Sequence, residues 1–432
     1  MTQEPKIFPY IARLLQGAEV VWKPLGEIAS MYGGLTGKSK TDFEEGNASY
    51  ITYKNIFDNI EIDFNKLEKV KILSSEKQNK VKYGDVLFTG SSETADEAGM
   101  SSAITTNIEE DIYLNSFSFG IRFNEDIELI PEFTKYLFRS HFMRMAISKT
   151  ASGVTRFNIS KERLKKIQIP LPPLAVQQEI VRILDKFTTL EAELEAELDC
   201  RKRQYDYYRN HLLSYEENEV EWKTLGEVSK KISSGGTPKT TVFEYYNGEI
   251  PWLRTQEVGY GEIWDTSIKI TEEAVKNSSA KWIPKDCVII AMYGATVGRV
   301  GINKIPLTTN QACANIEVNE EIANHKYVYY CLLNQYEYIK SLGAGSQTNI
   351  NAQIVKNLKI PLPPLEEQQR IAAILDKFDT LVNSISEGLP REIELRKKQY
   401  EYYREQLLSF PKTKEMHNYG KIIRRNSTRI KR

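Results

Sequence analysis

Cysteine and histidine are both scarce in this chain of 432 residues, which contains four of each. The cysteines show no CxxC pair and no spacing that is typical of a metal site, so we expect reduced thiols in a cytosolic protein. No run approaches the roughly 18 apolar residues of a membrane-spanning helix, and the N-terminus lacks the basic and apolar segments of an export signal. These absences argue against a disulfide scaffold, a zinc finger and a membrane-spanning helix.

The chain also lacks a set of catalytic residues. No histidine lies near a Cys, Asp or Glu cluster with metal-ligand spacing, or beside a plausible nucleophile motif. The segment 33–39 is similar to a phosphate-binding loop, but Tyr32 occupies the position of that motif's first glycine. The matching segment 234–239 has lost the pattern, which favours a flexible polar loop. We therefore expect no catalytic residue, no metal site and no cofactor bound by this chain.

The formal charge is balanced, with 58 basic and 58 acidic residues. This balance argues against a uniformly basic nucleic-acid-binding protein, but the charge is unevenly distributed. Residues 135–166 contain nine Lys or Arg and one acid, whereas residues 170–219 contain six basic and eleven acidic residues. A neutral protein with such a distribution can still present a basic face.

Self-comparison shows that the chain consists of two copies of a unit of about 200 residues. Each copy has a variable part, 29–165 or 229–356, followed by a part that is closely similar in both copies. The matching segments are 20–27 with 220–227, 169–174 with 360–365, and 201–209 with 396–404. The segments before Trp22 and Trp222 also match, so we expect a circular arrangement in which the first residues complete the second copy.

The closely similar part predicts a long helix in each copy. The prolines 172–173 suit the first turn of a helix, and the apolar residues of 176–194 alternate in steps of four and three, the heptad spacing of a coiled coil. About 40 such residues would form a helix about 60 Å long. The second helix repeats the pattern over 371–385, after which Gly-Leu-Pro at 388–390 is expected to kink or break it.

The two helical segments differ in length. The interval 188–200 of the first has 13 residues, and the corresponding interval 379–395 of the second has 17. The first contains a tandem repeat of Glu-Ala-Glu-Leu at 191–198. The difference in length equals one such four-residue unit.

The variable parts predict mixed α/β domains, with strands for example at 85–88 and 287–290 and an amphipathic helix at 132–147. The predicted fold is therefore α/β, with two globular domains and two long antiparallel coiled-coil helices related by a pseudo-twofold axis. The expected domains are an N-terminal domain at 1–168, a central helix at 169–217, a C-terminal domain at 218–359, a distal helix at 360–411 and a basic tail at 412–432.

A loop at 153–159 is the main candidate for DNA contact in the first half. It combines a glycine with Thr, Arg and Asn, the side chains that contact base edges and phosphates. An ordinary polar loop with Ser160 as the cap of the next helix is the alternative. The predicted DNA-binding residues of this half are Lys38, Lys54, Lys149, Thr155, Arg156, Asn158 and Lys161.

The second half has a matching loop at 345–350 and three further polar segments. Gln and Asn suit adenine and Arg suits guanine, while the alternative for each segment is a turn or a strand edge. The predicted DNA-binding residues of this half are Lys239, Arg254, Gln256, Thr296, Arg299, Asn310, Gln311, Gln347 and Asn349.

Two motifs give the chain a resemblance to a known family. Ile-Pro-Leu-Pro-Pro-Leu, Gln-Gln and Leu-Asp-Lys-Phe recur in order from Ile169 and from Ile360, and Gly-Val-Thr-Arg-Phe-Asn-Ile-Ser-Lys begins at Gly153. Together they resemble the specificity subunit of a type I restriction–modification system over nearly the whole chain. The resemblance implies two target recognition domains, each reading one half of a bipartite asymmetric DNA site, on a subunit that carries no chemistry.

The resemblance also implies protein partners. These are two modification subunits, which methylate adenine with S-adenosylmethionine, and restriction subunits, which use ATP and Mg. We expect the modification subunits to dock where the two halves are most alike, around Gln177, Gln178, Gln368 and Gln369. The alternative is a coiled-coil scaffold that never reads DNA, which would have no need of the basic stretch 135–166. A stand-alone enzyme is a third hypothesis.

Overall fold

The computed structural model describes residues 8–44, 46–216, 218–343 and 349–411. The contacts divide the chain into two compact units: the first is Met1–Glu193 together with Glu394–Arg432, and the second is Leu194–Ile393. The N-terminal Ile11 shares the core of the first unit with Leu408, which confirms a circular arrangement. The direction differs from the prediction, however. The end of the last helix completes the first unit, whereas the N-terminal residues belong to the first unit and do not complete the second. The division into five domains stays a prediction.

The described part of the first unit contains four small sheets. The largest is antiparallel and contains, in order, Ala29–Gly33, Ser118–Phe123, Val86–Thr89 and Ser101–Ala103. A second contains Glu68–Val70, Ala48–Ile51 and Ile112–Leu114, of which the last two run parallel. The remaining strands are the pair Val21–Pro24 and Gln168–Leu171 and the triplet Ala151–Ser152, Phe157–Ile159 and Ser91–Ser92.

The helices of the first unit are short until the long helix begins. They are Pro9–Leu15, Leu25–Ile28, Tyr53–Asp58, Pro131–Leu137, His141–Ser148 and Lys161–Leu164, with 3-10 turns at Lys40–Phe43 and Phe64–Lys66. The strand predicted at 85–88 is confirmed, but the single helix predicted at 132–147 is wrong. Two helices occupy that stretch because Ser140 has an extended backbone conformation, and its hydroxyl donates to the Leu137 carbonyl at 2.7 Å.

The second unit repeats this plan with a larger, mostly antiparallel core sheet. That sheet contains, in order, Ser229–Ser234, Cys313–Val318, Val288–Ala291, Val300–Asn303 and Gly261–Ile263, the last pair being parallel. A second sheet contains Lys269–Ile270, Ile250–Leu253, Leu307–Thr309 and Trp282–Ile283, and its two middle strands run parallel. Glu221–Thr224 pairs with Lys359–Leu362. The strand predicted at 287–290 is confirmed.

The helix His325–Asn334 of the second unit has ten residues. Apart from the long helices, it is the longest helix among the described residues. The others are Leu225–Val228, Glu272–Lys276, Tyr336–Ser341 and Ala352–Asn357, with 3-10 turns at Phe243–Tyr246, Thr255–Glu257 and Gly294–Thr296. The Asn324 side chain caps His325–Asn334 by accepting from the Tyr327 N–H at 3.1 Å. No helix in the described ranges combines the length and apolar character needed to cross a bilayer.

The first long helix, Leu174–Leu213, has 40 residues, so its predicted length is confirmed. The second segment is broken, as expected, into Leu365–Asn383 and Gly388–Leu407. Ile385, which the heptad pattern placed in the apolar stripe, lies in the break and is 83% exposed.

The break accounts for the unequal lengths of the two helical segments. Four non-helical residues, 384–387, lie inside the 17-residue interval 379–395, which leaves 13 helical residues to match the 13 of 188–200. The extra four residues of the second segment are therefore not an additional helical turn.

Within each unit, helical segments pack antiparallel through aromatic rings. In the first unit, the Phe187 ring stacks on that of Tyr403 with centroids 5.5 Å apart, and Glu191 pairs with Lys397 at 3.4 Å. Residue numbers thus rise on one helix as they fall on the other. In the second unit, the Phe378 ring stacks on that of Tyr208 with centroids 5.4 Å apart. The predicted antiparallel pairing is confirmed within the units.

Candidate nucleic-acid interface

In the first unit, several strands end at one place and are followed by polar turns. The parallel pair of strands ends at Ile51 and Leu114, and the Asn115 N–H donates to the Ile51 carbonyl at 3.1 Å. The Tyr53 hydroxyl donates to the Ser91 carbonyl at 2.8 Å, which joins the turn after a third strand to the same place. We call this region the first strand-end surface; it comprises residues 52–54, 91–92, 115–117 and 153–158.

The second unit has an equivalent surface. Its parallel pair of strands ends at Leu253 and Thr309, and the Asn310 N–H donates to the Leu253 carbonyl at 2.9 Å. This bond matches the one from Asn115 in the first unit. We call this region the second strand-end surface; it comprises residues 254–256, 293–296, 310–312 and 349.

The turn after the second parallel strand has the same geometry in both units. Asn115 Oδ1 accepts from the Phe117 N–H at 3.0 Å, and Asn310 Oδ1 accepts from the Ala312 N–H at 3.2 Å. The two surfaces are therefore built on one backbone framework. Since their side chains differ, the framework can present two different chemical patterns.

The loop predicted to contact DNA lies on the first strand-end surface. Gly153 has φ +151°, and a Cβ there would lie 1.9 Å from the Arg156 carbonyl oxygen, so this tight loop requires glycine. Asn158 pairs with Ser91 between strands, and Arg156 Nε donates to Ser91 Oγ at 3.2 Å. Thr155, Arg156 and Asn158 are all exposed. The structure thus brings these three predicted residues together.

A groove of about 560 Å³ extends this surface. Lys54, Lys40 and Phe117 line it, and both lysines are exposed. The carboxylate of Glu68 also lines the groove and accepts from the Tyr50 hydroxyl at 2.7 Å. Of the predicted residues, Lys54 therefore lies on the same surface as Arg156, while Lys40 and Phe117 are new candidates.

The Lys38 ammonium has partners inside its own unit, and its contact with DNA stays a prediction. Its Nζ donates to the Lys71 carbonyl at 2.6 Å and lies 2.5 Å from Glu76 Oε2, and the side chain is only 2% exposed. Lys38 also lines the groove that extends the first strand-end surface. Lys149 and Lys161 are exposed, and Lys161 Nζ lies 5.3 Å from the centroid of the Phe119 ring.

The basic stretch 135–166 is partly internal. Lys135 pairs with Glu61 at 3.3 Å and with Asp185 at 3.1 Å. Arg139 and Arg144 donate to backbone carbonyls of their own unit, and burial lowers the pKa of each guanidinium to about 10. Three of the nine basic residues therefore stabilise the fold. The stretch as a whole discriminates less well between a DNA-binding protein and a scaffold than its composition indicates.

Three predicted residues of the second unit are exposed polar side chains. Lys239, Gln256 and Gln311 are all exposed, and Gln311 Oε1 accepts from the Thr237 hydroxyl. Gln256 and Gln311 follow the ends of the two parallel strands, so the structure brings them together on the second strand-end surface.

Other predicted residues of this unit hold the surface in shape. Thr296 Oγ1 donates to the Thr255 carbonyl at 2.9 Å, and Asn349 Oδ1 accepts from the Gly294 N–H at 3.3 Å. Asn310 forms the turn described above. Two arginines have partners within the unit: Arg254 pairs with Glu257 at 3.1 Å and the Arg299 guanidinium lies 5.7 Å from the Tyr260 ring centroid. Gln347 and the tail 412–432 lie outside the described residues.

The start of the first long helix is tied to its own unit by Gln177. This side chain is fully buried. Its Oε1 accepts from the Ile130 N–H at 3.0 Å, and its Nε2 donates to the carbonyls of Glu128 and Pro172, both at 2.8 Å. All of its hydrogen-bonding capacity is directed inward.

Gln368 repeats this arrangement in the second unit. It is fully buried, its Oε1 accepts from the Asn324 N–H at 2.9 Å, and its Nε2 donates to two carbonyls. The prediction of partner contact is therefore wrong for Gln177 and Gln368, because a fully buried side chain offers no surface. Their neighbours Gln178 and Gln369 are exposed.

A second contact that occurs in both units was not predicted from the sequence. The Tyr136 hydroxyl donates to Asp185 Oδ1 at 2.6 Å, and burial together with this carboxylate raises the pKa of Tyr136. In the second unit, Tyr330 donates to Asp376 at 2.7 Å and Lys326 pairs with Asp376 at 2.5 Å. The repeated Leu-Asp-Lys-Phe segment was the available signal, since its Asp recurs at the same position of both helices.

Comparisons with known proteins agree with this architecture. The family described as type I restriction modification DNA specificity domain matches residues 18–199 and 217–395. A type I restriction enzyme specificity subunit of Escherichia coli is 38% identical over 429 residues, which is 95% of this chain and 99% of that protein. A putative one of Haemophilus influenzae is 30% identical, over 93% of this chain and 98% of that protein.

A solved structure shows the same fold. The HsdS subunit of Thermoanaerobacter tengcongensis superimposes with a TM-score of 0.55 at 19% identity, over 94% of this chain and 98% of that chain. Among the described residues, no group of three or more His, Cys, Asp or Glu side chains is placed to hold a metal ion. With both halves matched by the family and one relative aligned along its length, the chain belongs to the family of type I restriction–modification DNA specificity subunits.

Proposed function

We propose that this chain is the non-catalytic DNA-recognition subunit of a type I restriction–modification complex that acts in the cytoplasm. Each unit reads one half of a bipartite asymmetric site with its strand-end surface. The observation that carries this proposal is the shared framework with unlike side chains. The same turns present Lys54 and Phe117 in the first unit and Gln256 and Gln311 in the second.

The side chains on the two surfaces suit different bases. The first surface combines cations with Arg156, whose guanidinium matches the acceptors of guanine in the major groove. The second presents the amides of Gln256 and Gln311, which match the donor and acceptor of adenine. Two unlike readers in one chain predict a site with two unlike halves.

Two modification subunits are the proposed principal partners. The two helix starts make the same internal contacts, and each leaves one glutamine, Gln178 or Gln369, exposed at a matching position. Matching surfaces allow two copies of one partner to bind a single chain. The partners supply the chemistry: S-adenosylmethionine on the modification subunits, and ATP and Mg on the restriction subunits.

Adenine methylation mapping tests the proposal. Cells that express this chain with its modification subunits should contain one methylated bipartite sequence, which cells without the chain should lack. The purified chain with S-adenosylmethionine and DNA should methylate nothing, and methylation by the chain alone would establish a stand-alone enzyme.

A coiled-coil scaffold is the competing hypothesis, and the same cells distinguish it. A scaffold would assemble the partners but would leave the methylated positions without a common sequence. A defined bipartite sequence therefore excludes the scaffold, and an assembled, active complex without one excludes DNA reading.

A further inference from the structure

We propose that Phe117 reads a thymine, by packing its ring against the 5-methyl group of that base in the major groove, within about two base pairs of the pair that Arg156 contacts. This inference rests on the proposed function of the first unit. It adds a specificity-determining residue and names the base that the residue recognises.

The first observation is that a rigid turn holds the Phe117 ring in solvent. Phe117 is 66% exposed, yet both of its backbone groups are hydrogen-bonded. Its N–H donates to Asn115 Oδ1 at 3.0 Å, and its carbonyl accepts from the Gly90 N–H at 2.8 Å. Asn115 is itself buried and donates to the Ile51 carbonyl at 3.1 Å. The backbone that carries the ring is therefore held in place before any ligand binds.

The second observation is that the fold does not need a ring here. The matching turn of the second unit carries Ala312, which is 6% exposed. Its N–H donates to Asn310 Oδ1 at 3.2 Å and its carbonyl accepts from the Met292 N–H at 2.8 Å, so the two turns have the same bonds. Alanine satisfies this geometry completely, so the ring at Phe117 serves something other than the turn.

The third observation is the charge around the ring. The Arg156 guanidinium carbon lies 6.0 Å from the ring centroid, and Lys40 and Lys54 line the adjoining groove. Single exposed apolar residues are common on protein surfaces, but this one lies beside a guanidinium and lines a groove together with two exposed lysines. Cations that contact phosphates and guanine, around an apolar group that contacts a thymine methyl, match the chemistry of a DNA major groove.

The spacing of these groups defines the predicted sequence. Base pairs are stacked about 3.4 Å apart, so the 6.0 Å between the ring centroid and the guanidinium carbon spans at most about two steps. The first half-site should therefore contain a thymine within about two pairs of a guanine that Arg156 contacts. The second surface has Ala312 at the matching position, so no thymine methyl should be read there in this way.

Uracil substitution tests the inference at the level of one methyl group. The probes are synthetic duplexes of the methylated sequence in which each thymine of the first half-site is replaced in turn by uracil, which lacks only the 5-methyl group. The complex of the full chain with its modification subunits is titrated with each duplex. At one position, uracil should weaken binding by the wild-type complex about fourfold, the value of one buried methyl group. In the complex with Phe117→Ala, the same replacement of thymine by uracil should leave the affinity unchanged.

The second unit provides the controls. Phe117→Ala places in this turn the residue that the matching turn already has, so it should fold normally, and Phe117→Leu should retain part of the preference for thymine. The effect of uracil in the second half-site on affinity should be the same for the wild type and for both variants. The inference is overturned if no thymine of the first half-site is sensitive, or if Phe117→Ala keeps the full sensitivity. A wild-type complex without any defined methylated sequence would instead overturn the proposed function.

Discussion

The two units are alike where a long helix begins and unlike where the strands end. Gln177 and Gln368 are both fully buried and accept from and donate to equivalent backbone groups. Phe117 and Ala312 occupy one turn geometry with different side chains. At these positions, the similar residues make contacts inside each unit, and the dissimilar residues lie on the two surfaces that are proposed to read DNA.

This difference has a simple energetic basis. A buried polar side chain must satisfy its own hydrogen bonds and those of the backbone around it, so few residue types fit. An exposed side chain on a fixed turn can change at a cost of about 0.5 kcal/mol or less. The helix starts are therefore constrained by the fold, while the strand-end surfaces remain free to differ.

Duplicating one variable part should have the largest effect. If residues 29–165 are replaced by residues 229–356 of the same chain, both units carry the second strand-end surface on the same helix contacts. We expect the first half-site to disappear from the methylated sequence and a second copy of the other half-site to take its place. Methylation mapping measures this, and the reciprocal replacement is the control. A change in both half-sites would contradict independent reading.

Gln177→Ala should have the next largest effect, on stability. The substitution leaves the Ile130 N–H and two carbonyls without their partner inside the protein, and it should lower the free energy of unfolding of the first unit by about 3 kcal/mol. Denaturant unfolding of the full chain measures this change. Gln178→Ala, which alters an exposed neighbour, should cost less than about 0.5 kcal/mol. Equal effects of the two changes would show that the buried contacts do not stabilise the helix start.

The long helices could be predicted from sequence because their signals are local. The heptad spacing and the Gly-Leu-Pro segment identified a 40-residue helix and a broken one. The strand-end surfaces were predicted only in part: polar residue types pointed to the exposed Arg156 and Gln256, but they also pointed to Lys38, whose ammonium is paired inside its unit. Burial depends on residues distant in the chain, here Lys71 and Glu76, and no single-sequence pattern supplies those contacts.

Phe117 illustrates the same limit for a residue that the sequence did not identify. A phenylalanine in a variable region is typical of a core, and only the folded structure shows that this one is 66% exposed. The tandem comparison could have found it, once Asn115 and Asn310 were aligned as the first residues after matching strands.

Arg156→Ala should have a smaller effect, on DNA affinity. If the guanidinium contacts a base edge, binding should weaken by about 2 kcal/mol and the preference at one position of the first half-site should relax. If it contacts only phosphate, the loss should be similar for all sequences and the dependence on salt shallower. Titrations at several salt concentrations separate the two cases. An affinity equal to that of the wild type would remove Arg156 from the surface that reads DNA.

Lengthening the first helix should have the smallest effect on the two surfaces and should change only the distance between the half-sites. The repeat 191–198 lies within the continuous helix Leu174–Leu213, with Leu194 and Leu198 half-buried and Ala192 and Ala196 exposed. A third Glu-Ala-Glu-Leu copy would extend the helix by about 6 Å and rotate its end by roughly 40°, and leucine would stay near the same stripe.

The expected result is a longer unread spacer with both half-sites intact. Because base pairs are about 3.4 Å apart, 6 Å corresponds to one or two additional pairs in the methylated sequence. The break at 384–387 offers a matched control. Four Gly and Ser residues added there enlarge a segment that is already non-helical and leave 13 helical residues in each matching interval. This insertion should not change the length of the spacer. The alternative is that Glu-Ala-Glu-Leu is merely good helix-forming sequence. An unchanged spacer in a folded, active complex with the third copy would favour that alternative, because the length of the first helix would then not set the distance between the half-sites.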